Sequence, residues 1–186
     1  MPPKVKITKD EIITTAVEIV RKNGADALNA RNIAAKLDCS TQPVFSNFAT
    51  MEEVCLAVAE KAAALYEDYI KREIESQKYP VYKASGMAYI RFAKEEKELF
   101  KLLYMCDRSD GSIPDDPKLT DQMAAIIQNN IGLTEYDARI FHLEIWACVH
   151  GIATMFATGF LDLDWELVSK ILTDIYQGLK TQYQTE

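Results

Sequence analysis

The chain has little glycine or proline, seven and six in 186 residues, which excludes a collagen-like, low-complexity or loop-dominated protein. It has no uninterrupted run of eighteen apolar residues, so no membrane partner is expected. The N-terminus carries Lys4, Lys6 and Lys9 but no apolar core; this is not a secretory signal, and the expected location is cytoplasmic. Cys39, Cys55, Cys106 and Cys148 are scattered without C-x-x-C spacing, so neither a zinc site nor a thioredoxin-type pair is indicated and four buried, reduced thiols are expected. There are only two histidines, no G-x-S-x-G and no glycine-rich phosphate loop. These absences argue against an enzyme, and no metal and no cofactor are expected.

What is present is a hydrophobic content of 48%, enough for a compact core and, with so few helix breakers, a helix-rich globule; with the helices traced below, the expected fold is all-α with about nine helices. The net charge is −7, at first sight unfavourable for a phosphate-bearing partner. It is unevenly divided. Residues 1–50 hold seven Lys/Arg against five Asp/Glu, a balance of +2, leaving −9 on residues 51–186. A weakly basic head on an acidic body predicts a protein that touches nucleic acid at one end only.

The most informative stretch is Leu28–Val54. Asn29 is placed to cap a short helix bearing Ile33, Ala34 and Leu37 on one face, Asp38-Cys39 breaks the period, and Ser40 offers a second cap. Pro43 falls in the first turn of the second helix, where a missing N–H costs little, and Val44 and Phe48 repeat at i, i+4 to dock it on the first. Thr41, Gln42, Ser46 and Asn47 face the other way. This pattern is a helix-turn-helix with an uncharged outer face suited to base edges. Upstream, Thr8 and Glu11 have capping-box spacing, Ile12, Ile13, Ala16, Val17, Ile19 and Val20 form an apolar stripe, and Gly24 ends the helix, which predicts the third member of a small bundle.

The block resembles the DNA-binding domain of the TetR (tetracycline-repressor) family of bacterial transcriptional regulators. The matching residues are Ile33-Ala34, Ser40, Val44-Phe45, Phe48, Glu53 and Val54, and Gln42-Pro43 is similar to the start of the recognition helix in the tetracycline repressors themselves. Four positions depart from the pattern. Asn29 replaces a Thr cap with an equivalent one, and Asp38 stands where Gly is usual, a residue that tolerates a left-handed backbone better than most. Asn47 replaces a common His, and Met51 replaces a Lys that in the family approaches a phosphate.

The rest reads as helices. A long one is expected from Met51 to Gln77, with Val54, Val58, Ala62, Leu65 and Tyr69 on one face; a next begins at Tyr79-Pro80 and carries Met87, Ile90 and Phe92; the Lys94 to Lys97 charges then precede an apolar stretch, Leu99 to Met105. DRSDGSIPDD, Asp107–Asp116, is a loop whose acids lack EF-hand order, since Lys118 stands at the twelfth position. After Pro117 a helix runs to about Asn130. Thr134 caps another that ends at Gly159, with Ile145, Cys148, Ile152 and Met155 on one apolar face and Trp146, Val149, Ala153 and Phe156 on another; the last helix spans about Asp164 to Tyr183. Helices with so much apolar surface predict a dimer interface, assigned to Ile152, Ala153, Phe156, Val168, Leu172 and Ile175.

Trp146, Val149, His150 and Gly151 are similar to a Trp-x-x-x-His-Gly signature in some TetR-type regulatory domains. That resemblance implies an Ω-shaped homodimer, a four-helix bundle of the last two helices of each subunit, and middle helices enclosing a small-molecule pocket. The domains implied are a DNA-binding head, 1–50, and an effector-binding and dimerisation body, 51–186.

The DNA-binding candidates are Lys4, Lys6, Arg31, Ser40, Thr41, Gln42, Pro43, Phe45, Ser46 and Asn47. Gln42 can bond adenine N6 and N7 together, Arg31 can clamp the phosphate backbone, and Phe45 is mainly a structural prop. Lys4 and Lys6 are either a phosphate-binding arm or an ordinary solvated terminus. Phe92, Phe100, Tyr104, Met105, Trp146 and His150 are the candidate effector contacts; such side chains on buried helices are as readily plain core. Arg91, Lys94 and Arg139 are the cations able to reach inward, and His142 lies too far from His150 for a helical metal pair. The expected function is a transcriptional repressor binding an inverted repeat as a homodimer and released by a small molecule. A helical adaptor with a degenerate helix-turn-helix, or an enzyme, are the alternatives.

Overall fold

The structure is a computed structural model that describes residues 7–106 and 117–185, with side chains described at all of these except 117–120 and 185. Among them are nine α-helices, one 3-10 turn and no strand. The helices are α1 (Lys9–Asn23), α2 (Ala30–Lys36), α3 (Gln42–Asn47), α4 (Met51–Glu75), α5 (Val81–Glu95), α6 (Lys97–Tyr104), α7 (Pro117–Ile131), α8 (Glu135–Thr158) and α9 (Trp165–Thr185). Lys4, Lys6 and the loop 107–116 lie outside the described residues.

Packing divides the chain into two units: residues 1–65 with 96–113, and residues 66–95 with 114–186. Helix α4 runs unbroken through the first junction. In the first unit α1, α2 and α3 pack on one another, and α6 packs on α1. The capping box forms as its spacing predicts: Glu11 N–H donates to Thr8 Oγ1 and the Glu11 carboxylate accepts from Thr8 N–H at 2.7 Å. Gly24 ends α1 at φ 82, a backbone angle that strains any residue with a Cβ. Ile12, Ala16, Val20, Ile33 and Val44 are completely buried, and Phe48 almost so. The 99–105 stretch, expected in the body, here closes the core of the first unit: Leu99 and Phe100 are fully buried, and Arg21 holds Glu96 at 2.6 Å.

The second unit is built around α5, which packs against α7, α8 and α9. Gly86 marks where α5 meets both neighbours: a Cβ there would sit in ordinary contact with Leu172 of α9 at 3.4 Å and Val149 of α8 at 3.5 Å. Tyr66 and Tyr69 of α4 pack against Phe92 of α5 with ring centres 5.5 Å apart, the first tilted and the second edge-on. Each fully buried Phe of this core, Phe92 and Phe141, stabilises it by about 1.5–3 kcal/mol through area removed from water. Helix α8 is long and apolar enough to cross a membrane by length and composition alone, yet it lies against α5, α7 and α9 as a core helix does. Only one side of it is covered. On the other side Leu143 and Trp146 are 56% and 40% exposed.

Candidate functional site

The helix-turn-helix is assembled from local signals. Asn29 caps α2 by accepting from Asn32 N–H at 2.9 Å, and the turn passes through Asp38 at φ 50, left-handed where a glycine is easier. The second cap is not Ser40. Helix α3 starts at Gln42 with Thr41 before it, and no side chain caps it; Pro43 within the first turn removes one of the N–H groups that a cap would satisfy. Helix α4 begins with a mutual cap, Glu53 accepting from Ala49 N–H and Thr50 Oγ1 accepting from Glu53 N–H.

Val44 and Phe48 turn inward and leave Ser40, Gln42, Phe45 and Ser46 exposed, with Thr41, Pro43 and Asn47 half-buried. Phe45 does not prop the helix from within; its ring is 51% exposed on the outer face, because Val44 and Phe48 already fill the inner one. Ser46 Oγ donates back to the Gln42 carbonyl at 2.8 Å, and the Asn47 amide donates to the Pro43 carbonyl at 2.8 Å and the Ile7 carbonyl at 3.4 Å. Asn47 is therefore partly committed to its own helix and to the segment before α1. Gln42 and Arg31 are exposed, and neither side chain has a partner among the described residues. An exposed amide can read base edges and an exposed guanidinium can hold a phosphate.

The candidate effector contacts separate. Phe100, Tyr104 and Met105 belong to the first unit, Phe92, Trp146 and His150 to the second. Phe92 and Phe100 are fully buried, while Met105 is 42% exposed. Trp146 stacks on His150 with ring centres 4.8 Å apart and planes 15° from parallel. The Tyr89 hydroxyl bonds His150 Nδ1 and the Tyr82 hydroxyl bonds His142 Nδ1, both at 2.9 Å. Two histidines that the sequence left without partners thus share one arrangement, and their spacing, two turns on α8 facing two tyrosines two turns apart on α5, was a signal that could have been read. The three cations able to reach inward are engaged: Arg91 with Glu73 and Glu95, Lys94 with Asp162, Arg139 with Asp121 and Glu135.

Of the expected dimer residues, Ile152, Ala153, Phe156, Val168 and Leu172 are buried inside the subunit and Ile175 is half-buried. Five of the six offer nothing for a second copy to cover, because they already pack this chain's own core. The exposed apolar residues of α8 and α9 are Tyr136, Leu143, Trp146 and Leu167. Ala147 is also exposed, and beside Gly151 the space is open. None of the four thiols is fully buried, and Cys55 is exposed on α4. Among the described residues no three His, Cys, Asp or Glu side chains come together to hold a metal ion.

Residues 82–174 match the model of the tetracyclin repressor-like C-terminal domain. The chain belongs to the TetR family. No curated protein matches it. Solved structures similar to this TetR-family chain include a TetR-like transcriptional regulator from Rhodococcus sp. RHA1, 13% identical, covering 96% of this chain and 98% of that one at a TM-score of 0.69. A protein of unknown function from the same organism is 23% identical, covering 95% and 97% at 0.72. The multidrug binding protein EbrR, solved with imidazole, is 16% identical, covering 89% and 93% at 0.56. At these identities the likeness is one of fold, and the fold is that of TetR-type transcriptional regulators.

Proposed function

We propose that this TetR-family regulator is a repressor that binds an inverted-repeat operator as a homodimer and leaves it when a small molecule binds the body. The carrying observation is the outer face of α3, where Gln42 and Phe45 are exposed, together with the exposed guanidinium of Arg31 in the first turn of α2. In this reading residues 1–50 are the DNA-binding head and residues 51–186 the effector and dimerisation body, acting in the cytoplasm. Gln42 reads a base, Arg31, Thr41 and Ser40 meet phosphates, and Phe45 packs on sugar or a thymine methyl. The second copy covers the exposed side of α8, at Leu143 and Ala147, in place of the buried residues first assigned to that role. A two-fold dimer then sets two recognition helices on successive major-groove faces, roughly 34 Å or a multiple of it apart.

The effector contacts are Trp146 and His150, whereas Phe92 and Phe100 serve as core. The relative that binds multiple drugs supports a small-molecule effector here. An effector that prefers the DNA-incompetent state tenfold shifts the balance by about 1.4 kcal/mol, and DNA must weaken the effector equally. Gel-shift titration against the DNA flanking the protein's own gene tests the head. Gln42→Ala is expected to relax base preference, and Arg31→Ala to weaken binding to all sequences and flatten the salt dependence. Equal effects of both substitutions on cognate and random DNA would refute these roles.

A further inference from the structure

The start of α1 lies against the end of α3. The amide of Asn47, the last residue of α3, donates to the Ile7 carbonyl at 3.4 Å, and the Lys9 ammonium sits 4.8 Å from the ring centre of Phe48, the residue that ends α3. Phe48 is buried and Lys9 exposed, so the ammonium rests on the ring from the solvent side. Elsewhere in this unit Arg21, Lys36 and Lys101 each hold a carboxylate. Lys9 forms no ion pair among the described residues. The acids of the two nearest helix starts are not bonded to it: Glu11 accepts from Thr8 N–H, Glu53 accepts from Ala49 N–H, and neither Asp10 nor Glu52 reaches the ammonium.

We propose that Lys9 is a phosphate contact of the DNA-binding head, preset over Phe48 so that its charge meets the strand flanking the C-terminal end of α3 when that helix lies in the major groove. The inference rests on the repressor reading and adds to it a residue from outside the helix-turn-helix. Helix α3 has six residues, about 9 Å of length, and the groove is about 12 Å wide. The outward side chains of α3 itself occupy the base edges, and a cation carried by another helix beside its last turn meets backbone oxygens instead. Such a contact adds affinity on every sequence and carries no base preference. Because Phe48 already holds the side chain in place, little rotamer freedom is left to lose on binding.

The test measures binding of the full chain to a duplex of the DNA flanking its own gene and to a random duplex of equal length, by fluorescence anisotropy from about 50 to about 200 mM salt. Lys9→Gln is expected to weaken both duplexes alike and to reduce the slope of log affinity against log salt by about 0.9, so that its deficit relative to wild type shrinks about three- to fourfold across that range. Lys9→Arg keeps the charge and is expected to keep the slope. Lys22 is exposed and also without an ion pair, about 20 Å further along α1; Lys22→Gln removes the same charge and is expected to leave the slope unchanged. A wild-type slope in Lys9→Gln, or equal reductions in Lys9→Gln and Lys22→Gln, overturns the contact and leaves the repressor reading standing on Gln42 and Arg31. A wild-type chain that binds neither duplex overturns that reading and this contact together. Should Lys9→Gln fold poorly, carbon-13 methyl signals of reductively methylated lysines read the contact in the wild-type sequence: the Lys9 signal is expected to shift on adding DNA, and an unmoved signal overturns the assignment.

Discussion

The two units close their cores to different degrees. Ten large apolar side chains are exposed among the described residues; Phe45, Leu56 and Met105 belong to the first unit and the other seven to the second. In the first, short helices are stopped by Gly24 and by the turn at Asp38, and Thr8, Asn29, Thr50 and Glu53 satisfy their ends. In the second, α8 covers itself on one side only and leaves Tyr136, Leu143 and Trp146 outward. A core of short capped helices can be complete at small size. Long apolar helices present more surface than one subunit can cover, and in the proposed dimer the second copy covers that surplus.

The contrast is broken most severely by a charge on the covered side of α8. Ala153→Asp places a carboxylate where Ala153 has no exposure, and it is expected to cost about 3–5 kcal/mol or to unfold the second unit, read by urea denaturation. Ala147→Asp on the open side should leave the fold intact and produce monomers in sedimentation. Were both substitutions to leave a folded dimer, the inner and outer faces of α8 would be misassigned. A middle-sized effect is expected from the caps of the first unit. Thr8→Ala and Asn29→Ala each remove an acceptor from a helix N-terminus and should lower stability by about 1 kcal/mol, measured as a shift in denaturation midpoint at constant slope. The smallest concerns the turn. Asp38→Gly relieves a residue held at φ 50, and a gain of a few tenths to about 1 kcal/mol is expected; a loss would mean that the Asp38 side chain contributes to the turn more than its backbone costs.

Much of the first unit was legible because its determinants are local. Caps, a capping box, Pro43 in a first turn and the i, i+4 pair Val44 and Phe48 act within a few residues of where they are written. The misplaced cap at Ser40 shows the limit, since Pro43 altered what that helix start required. Phe45 misled for a different reason: a large ring reads as core in a sequence, and only the packing of its neighbours shows that the inner face is full. Five of the six residues assigned to an interface are likewise buried in the chain's own core, which only packing reveals.

The sequence by itself determined that the chain is all-α, where most of its helices start and stop, and that a helix-turn-helix of TetR type lies near its N-terminus. Hydrogen-bonding caps and apolar periods are enough for that, because helix geometry is set by residues three and four positions apart. Only the tertiary structure decided that α6 closes the first core with α1, which side of α8 is spent inside the subunit, and that His142 and His150 each meet a tyrosine of α5. Those outcomes join residues 60 and 61 positions apart at the two rungs, and no local rule chooses among the many partners that such distances allow.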